Sequence, residues 1–151
     1  MTFMIMLKTE LGQVNMAHFC EIKTDNNEVL RTVIVNNSDV NANGGDLSAE
    51  AETWVANNTP HDPIIKEELG TWPETYWKQT SYNNNFRQVY AGPGYTYDSS
   101  IDKFIPPKAH DNWVFDEPNW RWKPPVDVPL DENGPYEWDQ ENNQWVSIKG
   151  I

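Results

Sequence analysis

Cysteine is almost absent from this chain. The single Cys20 excludes an intramolecular disulfide framework and a cysteine-rich zinc site, so stability has to come from packing or from oligomerisation. Basic residues are scarce as well: eleven Lys and Arg stand against 23 Asp and Glu, a formal charge of −12 that repels nucleic-acid phosphates and anionic lipid. Direct binding of DNA or RNA is therefore not expected. Long apolar runs are missing too. The longest near the N-terminus, Phe3-Met4-Ile5-Met6-Leu7, is too short to span a bilayer and lacks both a basic leader and a cleavage pattern, so neither a signal peptide nor membrane insertion is expected. Aliphatic residues are thin, leaving the hydrophobic fraction at 38%, below the usual range. What takes their place is aromatic: 13% of the residues, eight of them Trp, so a few large rings supply most of the burial. A chain of 151 residues can bury about two-thirds of its unfolded surface, enough for one domain or for a small domain with a hairpin tail.

The fold class expected is mainly β, with an N-terminal hairpin and small sheet, one or two short helices, and then a string of aromatic-stapled hairpins. Residues 1–15 differ in style from the rest of the chain, and Met16 stands directly before Ala17-His18-Phe19, so they are read as an N-terminal extension. Residues 16–107 are read as the mainly-β domain, with a helical insertion near 46–70, and 108–151 as hairpin repeats. Ala17 to Ile22 and Glu28 to Val35 flank the turn formers Thr24-Asp25-Asn26-Asn27, which predicts a hairpin whose second arm is apolar enough for a central strand. Asn36 to Gly45, mostly Asn, Asp, Ser and Gly, reads as an irregular loop. Ser48 then caps a helical pattern in which Ala51, Trp54 and Val55 share a face, and Asp62-Pro63 through Gly70 predicts a second brief helix. Thr75 to Tyr82 and Phe86 to Tyr90 alternate large and polar residues around Asn83-Asn84-Asn85, the pattern of another hairpin. No further helix is expected after Gly92-Pro93-Gly94.

Three segments of the C-terminal half repeat one form: aromatic, any, aromatic, Asp, five residues, aromatic. Tyr95-Thr96-Tyr97-Asp98 closes with Phe104, Trp113-Val114-Phe115-Asp116 with Trp122, and Tyr136-Glu137-Trp138-Asp139 with Trp145, all without a gap. Aromatics two apart on a strand share a face, and a return strand after a short turn brings the third ring opposite or diagonal to them. The Asp falls where the first strand ends and can accept hydrogen bonds from the turn's own amides. Pro106-Pro107 and Pro124-Pro125 serve as stiff spacers. Tyr95, Tyr97, Phe104, Phe115, Trp122, Tyr136 and Trp145 are thereby assigned to a structural aromatic repeat.

Several runs resemble a known family. Met16-Ala17-His18-Phe19, Trp77-Lys78-Gln79-Thr80-Ser81-Tyr82-Asn83, Asn85-Phe86-Arg87, Tyr90-Ala91-Gly92, Gly94-Tyr95-Thr96-Tyr97-Asp98 and Phe104-Ile105-Pro106-Pro107-Lys108 are similar to small proteins encoded by tailed marine bacteriophages, especially cyanophages. The resemblance covers most of residues 16–146 and departs between Ser38 and Thr75. It implies a virion structural or tail-fibre-like protein, partnered by other virion proteins, and no catalytic residues to carry over.

The residues themselves point to no catalyst. His18, His61 and His110 are scattered without metal-ligand spacing, Ser81 and Ser99 lack a nucleophile elbow, and Gly92-Pro93-Gly94 loses an amide to its proline and lacks the Lys of a phosphate loop. Acidic pairs such as Glu67-Glu68 suit solvated turns as well as a glycosidase, and Asp131-Glu132-Asn133-Gly134 lacks a full calcium ladder. No cofactor, metal or catalytic residue is expected. The rival to a purely structural repeat is a glycan platform, in which Trp120, Trp113 and Trp138 are the candidate binding residues. Trp120 falls where the other copies carry Asp102 and Asn143, which suggests a ring outside the staple. The favoured expectation is a non-enzymatic virion component in several symmetric copies that assembles with capsid, neck or tail proteins. The alternative is a tail-fibre-associated module that binds host-surface glycans.

Overall fold

The computed structural model describes residues 7–8 and 14–151, with side chains from Met16 onward. The expected 1–15 extension therefore lies largely outside the described residues. The chain divides into two compact units, residues 1–107 and 108–151.

The first unit is built on β2 (Val14–Lys23). It is flanked in antiparallel pairing by β3 (Val29–Asn36) and β4 (Thr75–Thr80), while β1 (Leu7–Lys8) pairs with its first residues. The central strand is thus β2 and not the 29–35 arm, whose apolar content suggested that place. Strand alternation explains why β2 is buried on both faces. Ala17 and Phe19 point to a cluster with Val35, Val40, Ala51, Val55 and Trp77, whereas Cys20 and Ile22 point to Val29, Ala91, Tyr97 and Phe104. Helices cover the first face and an aromatic hairpin covers the second.

Each helix has a local cause. In α2 (Ala49–Asn58) the Ser48 hydroxyl accepts from the Ala51 amide at 3.1 Å, and Ala51 and Val55 are buried. In α3 (Pro63–Leu69) Asp62 caps the Ile64 amide, Pro63 opens the first turn, and Gly70 ends the helix at φ 75°. Between β3 and α2 lies α1 (Asn37–Ala42), where a loop was expected. Its residues are poor helix formers, but the Asn36 carboxamide caps the Ser38 amide at 2.9 Å and Val40 is buried in the core, so tertiary burial overrides propensity.

A second expectation also fails. Residues 86–90 form no strand, because Arg87 and Gln88 take left-handed φ values of 52° and 72°, and β4 pairs with β2 instead. The turn there aims the Arg87 side chain inward. Its Nη1 donates to the Gln79 carbonyl at 2.9 Å, Nε donates to Asp102 at 2.7 Å, and Glu52 lies 3.6 Å away. One guanidinium thereby joins β4, α2 and the turn of the first hairpin.

Beyond these elements the chain is made of hairpins, and among the described residues no helix follows Leu69. The first, β5 (Thr96–Asp98) with β6 (Lys103–Ile105), belongs to the first unit. The second, β7 (Val114–Asp116) with β8 (Arg121–Lys123), and the third, β9 (Tyr136–Asp139) with β10 (Gln144–Ser147), form the second unit. The protein is mainly β, as its alternation predicted.

Candidate functional site

All three hairpins share one register. Tyr97 faces Phe104, Phe115 faces Trp122 and Trp138 faces Trp145, and the strand-ending Asp pairs with the residue after a four-residue loop in each case. The second ring of the motif therefore meets the closing ring directly, with centroids 5.2, 5.0 and 5.2 Å apart in tilted or edge-to-face contact. Such pairs contribute roughly 0.5–1.5 kcal/mol each beyond the area they bury. In the first hairpin the amides of Tyr97 and Phe104 donate outward, to the carbonyls of Asn27 and Arg87, at 2.9 and 3.1 Å. That frees the ring pair to close as a non-hydrogen-bonded pair, the type whose side chains lie nearest.

The Asp residues act on their own turns. Asp98 accepts from the Ser100 amide at 2.9 Å, Asp139 from the Asn142 amide at 3.1 Å, and Asp116 from the Asn119 carboxamide at 2.7 Å. These bonds, led by Ser100, Asn142 and Asn119, hold all three carboxyls below the ordinary carboxylate value.

The last loop residue is left-handed in every copy: Asp102 at φ 52°, Trp120 at 51° and Asn143 at 56°. Asp and Asn tolerate that conformation, whereas an aromatic side chain does so at a cost. In the first two copies the side chain at this position lies back over its own hairpin. Asp102 thereby meets the Tyr97 hydroxyl in a short hydrogen bond, and Trp120 stands edge-on against Phe115, with centroids 5.0 Å apart at 88°. Trp120 does not lie outside the staple as its alignment suggested; it is partly buried as a third ring of the second hairpin. Burial raises the Asp102 carboxyl, but the hydrogen bonds from Tyr97 and Arg87 outweigh it and the net displacement is downward.

Within the second unit the two hairpins are stitched together by Gln140. Its Oε1 accepts from the indoles of Trp113 at 3.0 Å and Trp138 at 2.8 Å, while its Nε2 donates to Asn112 at 3.0 Å. Asn112 in turn donates to Asn143 at 2.6 Å. The Trp145 indole donates to the Val126 carbonyl at 2.7 Å, which ties the third hairpin to the segment just after the second. The Tyr136 hydroxyl donates to Asp131 at 2.7 Å, bracing the approach to that hairpin.

The result is a groove of about 640 Å³ lined by Trp113, Trp122, Trp138 and Trp145. Pro124, Val126, Val128 and Leu130 border it on one side, Leu130 being 97% exposed. Asp116, Asn119, Arg121, Lys123 and Asp127 supply the polar part of the lining. Of the expected binding residues, Trp113 and Trp138 line this groove and Trp120 does not. Trp122 and Trp145, assigned to the staple, line it as well. Gln140 escaped the sequence reading because it occupies the turn position held by Ser99 and Glu117 in the other copies, and nothing local marks it as a bridge.

The remaining candidates have packing partners. His18 is buried with Tyr82 stacked at 5.5 Å and Tyr90 edge-on at 5.3 Å, and burial lowers its pKa. His61 stacks on Trp72 at 4.3 Å, and His110 lies 5.1 Å from Trp113. Glu21, buried beside a hollow of about 520 Å³, accepts from Arg31, Trp72 and Thr75 at 2.7, 3.1 and 2.5 Å, so both its oxygens are engaged. Burial pushes the Cys20 thiol up to about 12. Among the described residues no group of three His, Cys, Asp or Glu side chains is placed to hold a metal ion, and no helix is long and apolar enough to cross a membrane. Comparison of the chain with protein-family models, curated proteins and solved structures gives no match.

Proposed function

We propose that this chain is a non-enzymatic structural component of a tailed-bacteriophage particle, docking on capsid, neck or tail proteins through its hairpins. The observation that carries the reading is how the first hairpin is used within the chain itself. Its edge is augmented by neighbouring backbone, through Tyr97 to Asn27, Phe104 to Arg87, Val29 to Tyr95 at 2.7 Å, and an isolated bridge between Glu28 and Thr96. Its ring pair is sealed against Cys20, Ile22, Val29 and Ala91, leaving Tyr97 5% and Phe104 0% exposed. The motif is thus already a docking element in one copy, and the same register recurs in two further copies. Edge augmentation with an apolar face is a general mode of protein recognition.

Two further features support the reading. The sequence runs that resemble tailed-phage proteins include the docked hairpin and the β4 strand that its platform shares. The outer faces of the other two hairpins carry Val114 and Val146, 44% and 42% exposed, on the side opposite the ring pairs. Those faces suit contact with neighbouring particle proteins or with further copies of the chain in a symmetric assembly.

Purified particles test this directly. Mass spectrometry should find the chain at a fixed stoichiometry, and amine cross-linking should join Lys108, Lys123 or Lys149 to another particle protein. Its absence from particles that retain their other components would sink the proposal.

A further inference from the structure

We propose that the groove of the second unit is a binding site for a neutral oligosaccharide. Three observations lead there.

First, the openness of the groove is not a property of the hairpin. The ring pair of the first hairpin is buried almost completely in the same register, whereas Phe115, Trp122, Trp138 and Trp145 are all only partly buried. Four indoles sharing one concavity of about 640 Å³ fall within the size range of small-ligand sites. The apolar C–H face of a pyranose ring stacks on such surfaces.

Second, the rings are held before any ligand arrives. The indole N–H groups of Trp113 and Trp138 are both taken by Gln140, and that of Trp145 by the Val126 carbonyl. Their polar atoms are satisfied, so they present π-surface. Their orientation costs a ligand little ordering entropy. Lys108 lies 4.7 Å from the centroid of the Trp122 ring and adds a donor close to it.

Third, the charges of the lining cancel in pairs. Arg121 bonds Asp116 at 3.3 Å, and Lys123 bonds Asp127 at 3.0 Å. Each acidic side chain of the lining thus has a basic partner, and the Lys108 ammonium beside it faces the Trp122 ring. The 108–151 segment as a whole carries four basic against nine acidic residues, a net −5 that disfavours uronic or sialic acids. What remains is a rim of planar hydrogen-bonding groups, Asn119 and Arg121, with the Arg121 side chain 66% exposed and both oriented by Asp116, which accepts from each and is itself 11% exposed. That chemistry matches vicinal hydroxyls. Val126, Val128 and Leu130 would also suit an extended peptide, but four indoles lead the lining, the surface on which a pyranose face stacks.

The experiment uses the isolated full-length chain, so its outcome does not depend on whether the chain is carried on a particle. It is applied to an array of neutral and acidic oligosaccharides, and hits are titrated by Trp fluorescence. Neutral glycans should bind and alter the Trp emission. Arg121→Ala and Asn119→Ala, both at exposed positions, should each weaken binding at least tenfold with an unchanged near-UV circular dichroism spectrum, while Trp72→Phe in the first unit should leave binding intact. A blank array overturns the proposal, as does binding confined to acidic glycans or binding indifferent to both rim variants. A displayed dodecapeptide library that enriches a consensus while the array stays blank would assign the groove to a peptide instead.

Discussion

Trp120 offers the sharpest test of how the repeat is built, because two opposing terms meet at one residue. Its ring buries on the order of 100 Å² or more, worth about 3 kcal/mol as an upper estimate, and its edge-on contact with Phe115 adds about 1 kcal/mol. Against this, φ 51° is a conformation that costs an ordinary L-residue about 1 kcal/mol and that Asn adopts more readily. Trp120→Ala loses the ring and keeps the backbone cost, so it should destabilise the second unit by about 3 kcal/mol. Trp120→Asn loses the same ring but places at this site the residue the third copy has at Asn143, and should recover about 1 kcal/mol of that loss. Trp120→Phe keeps most of the contact and should cost less than either. Urea unfolding of the full-length chain, followed through the indole N–H resonances of Trp138 and Trp145, isolates this unit, since Gln140 and Val126 hold those protons only when it is folded. Asn and Ala variants of equal stability would refute the argument that the left-handed backbone selects the residue at this point of the repeat.

Arg87→Ala should destabilise the first unit by about 2 to 3 kcal/mol, since a buried guanidinium is removed from the Gln79 carbonyl and from Glu52 and Asp102 together. Arg87→Lys should recover less than half in chemical denaturation, because a point charge cannot reproduce the fork; full recovery would show that charge alone matters. His18 gives a pH dependence. Burial lowers its folded pKa below the ordinary 6.5, so the unfolded chain takes up the proton first. Its contribution to stability is therefore complete above 6.5 and is lost as the pH falls from there through the lowered folded value. Unfolding midpoints of the first unit measured between pH 5 and 8 should decline on the acid side, and His18→Gln should flatten that decline; identical slopes would count against a buried neutral imidazole.

The hairpins were legible in the sequence because their register is written in residues that must touch. A ring at 115 and a ring at 122, with Asp116 between them, fit one pairing only, and a slip by one position would turn every ring to the other face. Helices α2 and α3 were legible for a similar reason, as Ser48 and Asp62 cap them locally. What failed depended on distant partners. Helix α1 exists because Val40 reaches the core, and 86–90 is not a strand because Arg87 turns in toward groups up to 35 residues away. Trp120 was placed correctly in the alignment but misjudged in space. Its equivalents, Asp102 and Asn143, carry the signature of a left-handed position, and the contact of the Trp120 ring with Phe115 is set in space rather than in the motif.

This separation between fixed and variable positions has a functional consequence. The ring pair and the Asp recur in every copy and set the hairpin's shape. The loop residues differ, and each copy uses them differently. Asp102 receives Tyr97 and Arg87 in the first copy, Trp120 covers Phe115 in the second, and Gln140 and Asn143 in the third reach Trp113, Trp138 and Asn112. In the second unit Gln140 bridges indoles of two ring-bearing hairpins, so the groove there is framed by the same motif that the first hairpin seals against its own sheet.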